Sequence, residues 1–504
     1  MNNRVDLRLV PAALTAWGVT AAGIVWGAGQ ALALLCAAVA LGWWVLRLRT
    51  GDRHPMMRAA AVGVVGAAVV GAGFGVAIGL RSEAARSHPI AHRVGATLWV
   101  AVRPGESPRM VAGGRLMFRG ELIGVGDDEM TGSVLVFAPG IDFGGLQAGQ
   151  PARFRARVSP PARRDLSVAV LTAVGRPALG RASPIQRTAQ SIRDRFAAAA
   201  REVLPADQAA ILPGLVLGDT AAVSGATTAE FRTAGLTHLT AVSGANVTIV
   251  CGAVLLIAAM LGPRAAVGLA ALALVAFVVL VQPTASVLRA AVMGAITLLA
   301  VLSGRRRQAV PVLAATVIAL MLAAPQLAVD LGFALSVSAT AALVLLAPIW
   351  SARMVARGWP EPLAAAVCIA AAAQLVTAPL VAAISGRFSL VAVLANLAVA
   401  VIIPPITVLG TAAAVLVTPC PAAAGLLIRF TGPELWWLLR TAHAAAALPG
   451  AAVAVPAGWA GLLTVGGASV AAVVLWPRRW FRVCAAGAIL CVAAWSVSGA
   501  VGGP

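Results

Sequence analysis

The stretch Phe231–Val247, FRTAGLTHLTAVSGANV, sets His238, Ser243 and Asn246 at the mouth of the apolar run Leu239–Leu261, LTAVSGANVTIVCGAVLLIAAML. Such a run is long enough to cross a bilayer core of about 30 Å. Polar side chains are costly at that depth and belong in a bundle interior or beside a pathway. Ser243-Gly244 also interrupts helix propensity, as broken helices at transport sites do. Polar groups at a helix break inside a membrane imply a conduit.

Composition fixes the class. Of 504 residues, 60% are hydrophobic and only 11% charged, and the mean hydropathy is +0.91. Soluble domains are about a quarter charged, so this is an integral membrane protein. All 38 cations are Arg, and the net charge is +20. That fits either a biased composition or a preference for guanidinium forks that grip phosphate. Without Lys there is no P-loop GxxxxGK[ST], so ATP-driven work by that motif must come from another chain.

Residues 1–80 read as N-terminal transmembrane helices, with apolar segments near 9–28, 30–48 and 58–80. Arg4 and Arg8 precede the first, and Arg47, Arg49, Arg53 and Arg58 face one acid, Asp52, before the third. Excess Arg marks the cytoplasmic side, which leaves residue 80 outside. The first segment is too long for a cleaved signal-peptide core.

From 81 to 204 the composition changes, with 18 Arg against ten Asp or Glu, a net of +8. Short runs at Val94–Val102, Arg115–Val125, Ser133–Ala138, Pro151–Val158 and Leu166–Val174 read as strands. Five such strands suggest an extracytoplasmic OB-like barrel over 81–183. Alternation in Ala152–Val158 puts Arg153, Arg155 and Arg157 on one face, which is either a solvated side or a polyanion-binding surface. No Cys falls in this domain, so it has no disulfide.

Residues 184–204 predict an amphipathic helix on the membrane surface, with Ile185, Ile192, Phe196 and Val203 facing apolar material and Arg187, Arg193, Arg195 and Arg201 facing water or headgroups. Residues 205–504 then read as a transmembrane channel domain. Its spans are expected near 240–262, 265–282, 284–303, 308–323, 326–348, 362–384, 389–418, 459–476 and 480–498. The segment around 425–448 either spans or lies flat, and Trp436 and Trp437 suit the interface either way. About 12 transmembrane helices result. Arg305–Arg307 and the pair Arg353/Arg357 both fall inside if the 240–262 span starts outside.

Other polar residues in the membrane portion are Gln282, Arg289, Asp330, Ser336, Gln374 and Asn396. A lone Ser or Gln there usually makes a helix–helix hydrogen bond. Arg289 and Asp330 need a partner or water; they either pair, or Asp330 sits at the outer interface near Pro325. Pro404-Pro405 removes helix hydrogen bonds and predicts a kink or break. Five scattered His residues lack metal-ligand spacing, and all six Cys lie in or beside apolar segments, so neither a metal nor another cofactor is expected. Ser243 and His238 could serve an intramembrane serine protease, but their spacing of five fits one helical face poorly. No catalytic residue is assigned.

The segment GLVLGDTAAVS…FRTAGLTHLTAVSGANV resembles the competence domain of the ComEC family of DNA-uptake channels, with Gly218, Asp219, Gly235, His238, Ser243 and Gly244 at motif positions. Ala234 stands where the family carries Ser or Thr. PTASVLRAAVMG, with Arg289, PQLAVDLGFALSVSATAALVLLAP, with Asp330, and SLVAVLANLAVAVIIPP, with Asn396 and Pro404, are similar to further family segments in the same order. Ala245-Asn246 replaces the Leu-His of many members. Many members also end in a metallo-β-lactamase-like domain, and this chain, ending at Pro504, carries no zinc signature. The resemblance implies an inner (plasma) membrane channel that imports single-stranded DNA in natural transformation and is not an enzyme. A separate DNA receptor, helicase or nuclease would work with it. The Arg-bearing barrel would collect the strand by charge, and polar helix breaks would pass it inward. The alternative is a transporter or flippase of another anionic amphiphile.

Overall fold

The computed structural model describes residues 6–50, 55–106, 108–111, 113–161, 165–240, 242–281, 285–302 and 308–475, with 478, 479 and 487. Arg4, Asp52, Arg53, Gln282 and Arg305–Arg307 lie outside the described residues, as do the side chains of Arg47, Arg49 and Arg58 and nearly all of the span expected near 480–498. The chain forms two compact units, Met1–Ser191 with Pro263–Phe333, and Ile192–Gly262 with Ala334–Pro504.

Helices dominate, and among the described residues six are long and apolar enough to cross a membrane, or seven if the bent pair Ala392–Val399 with Ile403–Leu416 is one span. Among the described residues, five more apolar helices run 10–17 residues, including Val10–Trp26 and Ala309–Ala323. These six or seven spans are fewer than the dozen expected, and Gly and Pro shorten several of the other apolar segments. Gly27 takes a left-handed φ of 68° and stops Val10–Trp26, and Ala309–Ala323 ends just before Pro325. The 425–448 region holds two helices, Pro421–Phe430 and Gly432–Ala447.

In the first unit, small residues let helices approach closely. A methyl group on Gly29 would meet the Gly79 nitrogen at 2.8 Å and the Gly75 carbonyl at 2.9 Å, so Gly29–Thr50 and Pro55–Arg86 touch backbone to backbone. Trp17 packs edge-on against Phe333 with ring centres 5.3 Å apart, and its Nε1–H donates to the Ala328 carbonyl at 2.9 Å.

The same unit carries a small five-strand barrel with one short extra strand, β2, paired to β3: β1 Thr97–Pro104, β2 Arg109–Val111, β3 Arg115–Val125, β4 Asp128–Pro139, β5 Ala152–Ser159 and β6 Ala169–Leu179. The order is β1-β5-β6-β4-β3-β2, and a β1–β3 pairing closes the five long strands on themselves. Only β4 and β6 run parallel. Inward residues such as Val102, Phe118, Leu122, Val136, Phe154 and Leu171 are fully buried and form the core. Strand β1 starts later than expected because Pro89–Arg93 coils into a 3₁₀ turn and Gly95 takes φ 88°. Strand β4 starts earlier because Val125 pairs with Asp128 across a two-residue Gly126–Asp127 turn, with Gly126 at φ 65°. Strand β6 starts later because Leu166 sits at φ 66°, beside Asp165 Oδ1 accepting from the Ser167 N–H.

The helix Pro184–Val203 forms where expected, but its buried stripe differs. Ile185 is exposed, whereas Arg193 is buried with Ala189, Phe196 and Ala200. These four follow steps of four, three and four residues, so Arg193 lies on the apolar stripe by helical geometry. Desolvation lowers the Arg193 pKa, and the charges of Asp219 and Asp194 oppose that shift.

Candidate functional site

The second unit gathers the motif segments. Helix Ala206–Leu217 is almost wholly buried beyond Ala209 and carries Pro213 inside it. It ends at Gly218, whose φ of 77° is the left-handed cap; its N–H donates to the Gly214 carbonyl at 3.1 Å, and the Asp219 N–H to the Pro213 carbonyl at 3.2 Å. The Leu215 carbonyl in this last turn is left over. Asn246 supplies it: its Nδ2–H donates to Leu215 O at 2.9 Å. Asp219 turns its Oδ1 to the Ala221 N–H at 3.1 Å.

Asn246 belongs to the next membrane-length helix, which starts at Gly244 with Ser243 in extended backbone ahead of it. Ser243 Oγ donates to Asn246 Oδ1 at 3.4 Å. Asn246 is only 6% exposed, so its amide is buried. Ser243 and Gly244 are half-buried at the helix mouth.

Between these helices, Gly225–Thr233 ends in the turn that contains Gly235. Ser224 caps its start, accepting from the Thr227 N–H at 3.0 Å. The Leu236 N–H returns to the Phe231 carbonyl at 2.8 Å, and Gly235 takes φ 73°. A methyl group on Gly235 would collide with Ala392 Cβ, so this turn docks tightly on the helix Ala392–Val399. Two side chains of the Ser389–Asn396 segment complete the docking. Ser389 Oγ–H donates to Thr233 O at 2.7 Å, and Asn396 Nδ2–H donates to Ala392 O at 2.8 Å and Gly235 O at 3.4 Å. His238 sits in the 3₁₀ turn Thr237–Leu239 with an accessible face; desolvation by surrounding protein lowers its pKa, and a hydrogen bond with the Gly235 backbone raises it in part.

Helix Ala392–Val399 breaks from Ile403–Leu416 with a 53° bend. Pro404 and Pro405 fall in the first turn of the second piece, where missing N–H groups cost nothing. On the other side of the break, the Ala398 carbonyl accepts from Trp437 Nε1–H at 3.0 Å. Glu230 and His443 add a surface contact at 2.9 Å. The contacts of Trp437 and His443 carry no local sequence signal, because their partners lie 39 and 213 residues away.

Arg289 and Asp330 belong to the other unit, and the structure does not pair them. Asp330 Oδ1 accepts from the Phe333 N–H at 2.7 Å at the start of Leu331–Leu345, while Arg289, buried on Ala285–Leu302, points Nη1 at Met293 Sδ, 3.0 Å away. Also in that unit, Arg153, Arg155 and Arg157 alternate with buried Phe154 and Ala156, so all three share the exposed face of β5. Among the described residues, no three His, Cys, Asp or Glu side chains come together as metal ligands would.

A protein-family model described as "Competence protein" matches residues 215–480, more than half of the chain. The chain belongs to the competence protein family. The match takes in the helix end at Leu215, the Gly235 turn, Asn246, Asn396 and the bent pair, so the docked motifs are those of the competence domain. Comparison with curated proteins and with solved structures gives no match.

Proposed function

We propose that this competence-family protein is an inner-membrane channel that imports single-stranded DNA in natural transformation. One observation carries the proposal: within the matched region, motif segments 156 to 161 residues apart dock on each other, through Asn396 on Gly235 and Ser389 on Thr233, beside a broken membrane helix. Broken helices with satisfied backbone are how membrane proteins line a polar path. About 12 crossings follow if the shorter apolar helices also span.

The closed order of five long strands supports an OB-like reading of the barrel, and its Arg153, Arg155 and Arg157 face suits collection of a polyanion. That role places the barrel outside the cytoplasm. The protein then works as a conduit without chemical conversion of its cargo, with the bilayer and the DNA strand as direct partners. A separate receptor, helicase or nuclease would hand over, pull or trim the strand. Deleting the gene and measuring transformation with labelled double-stranded DNA tests the proposal. Loss of uptake restored by the wild-type copy supports it; loss of lipid or sugar transport with normal DNA uptake would favour a carrier of another anionic amphiphile.

A further inference from the structure

The outward face of the barrel holds an aromatic ring that collection by charge does not require. Trp99 stands on β1, 47% exposed, directly opposite Arg155 on β5. Arg153 and Arg157 flank it, opposite Ala101 and Thr97. On the far side of β5, Arg155 pairs with exposed Val174. Trp99 shares the outer face with these arginines because Val100, Phe154 and Ala156 point into the core.

Two contacts hold Arg153 within the patch. The Arg153 guanidinium carbon lies 6.0 Å from the Trp99 ring centre, the outer limit of a cation–π contact. Arg153 Nη2 also lies 3.7 Å from Asp127, a fully exposed carboxylate on the β3–β4 turn. An exposed indole amid guanidinium groups matches a ligand with alternating flat rings and anionic groups. A single nucleic-acid strand is that ligand, whereas a duplex hides its base faces. Stacking on an aromatic ring tolerates any base, as a sequence-blind collector needs.

We propose that Trp99 is a stacking platform for a base of single-stranded DNA, with Arg153 and Arg155 on the flanking phosphates and Asp127 competing for Arg153. This rests on the DNA-collecting role of the barrel given above. The test uses the full chain in uncharged detergent micelles at low salt. Its probes are a labelled oligothymidylate and an abasic oligomer of equal length and charge.

The wild type binds the oligothymidylate at least about fivefold more tightly than the abasic strand. Trp99→Ala removes that preference, Trp99→Phe keeps part of it, and Asp127→Asn tightens both. Equal wild-type affinities, or a preference that survives Trp99→Ala, overturn the stacking role while salt-dependent binding leaves charge collection standing. Unchanged affinities in Asp127→Asn overturn the competition. Failure of both oligomers to bind at low salt overturns stacking and collection together.

Discussion

The Asn246 carboxamide is bonded to the Leu215 carbonyl at 2.9 Å, which ties the mouth of one membrane helix to the end of another. Removing the donor leaves a buried carbonyl unsatisfied, at a cost of about 1–3 kcal/mol. Asn246→Ala should therefore lower the unfolding temperature of the detergent-purified protein, and import should fall only as abundance does. Normal stability with lost import would instead give Asn246 a direct role in the path.

Gly235 faces a second constraint, because its φ of 73° and its contact with Ala392 both exclude a side chain. Gly235→Ala should destabilise by about 1–3 kcal/mol, combining left-handed strain with overpacking. Adding Ala392→Gly should recover the packing part but not the backbone part. Thermal unfolding of the single and double variants separates the two.

Asp330 acts as a helix cap rather than as an ion-pair partner of Arg289. Asp330→Asn keeps an acceptor oxygen and should stay within about 0.5 kcal/mol of the wild type, whereas Asp330→Ala should cost about 1 kcal/mol. Exchanging the charges at 289 and 330 should rescue nothing. Equal losses in the Asn and Ala variants would point to the charge instead.

Replacing Arg153, Arg155 and Arg157 together with Gln should reduce the slope of log affinity against log salt by about 2 for single-stranded DNA, at about 0.7 per lost phosphate contact. Titrating the full-length protein with a labelled oligonucleotide across a salt series measures this. An unchanged slope would remove these residues from the contact.

Local periodicity explains what could be read from the chain. Strand β3 matches its expected bounds, Arg115–Val125, because buried Leu116, Phe118 and Leu122 alternate with outward residues. Pro404-Pro405 likewise announces the bent helix. Arg193 misleads because charge suggests water, while its spacing from Ala189 and Phe196 places it on the buried stripe. The three-residue strand β2 is too short to show alternation. Asn246 is visible as a polar residue, but its partner is a backbone carbonyl 31 residues away, which no side-chain pattern encodes. The docking of Asn396 on Gly235 is hidden for the same reason.

Import itself gives the most direct test of the channel. Gly244 opens the helix at the motif mouth and is half-buried. Cells carrying the wild type, a deletion or Gly244→Trp at matched membrane abundance are given labelled DNA, and the label protected from added nuclease is counted. The channel account predicts protected label in the wild type and none above background in the deletion or in Gly244→Trp. Wild-type protection in the deletion strain would contradict it.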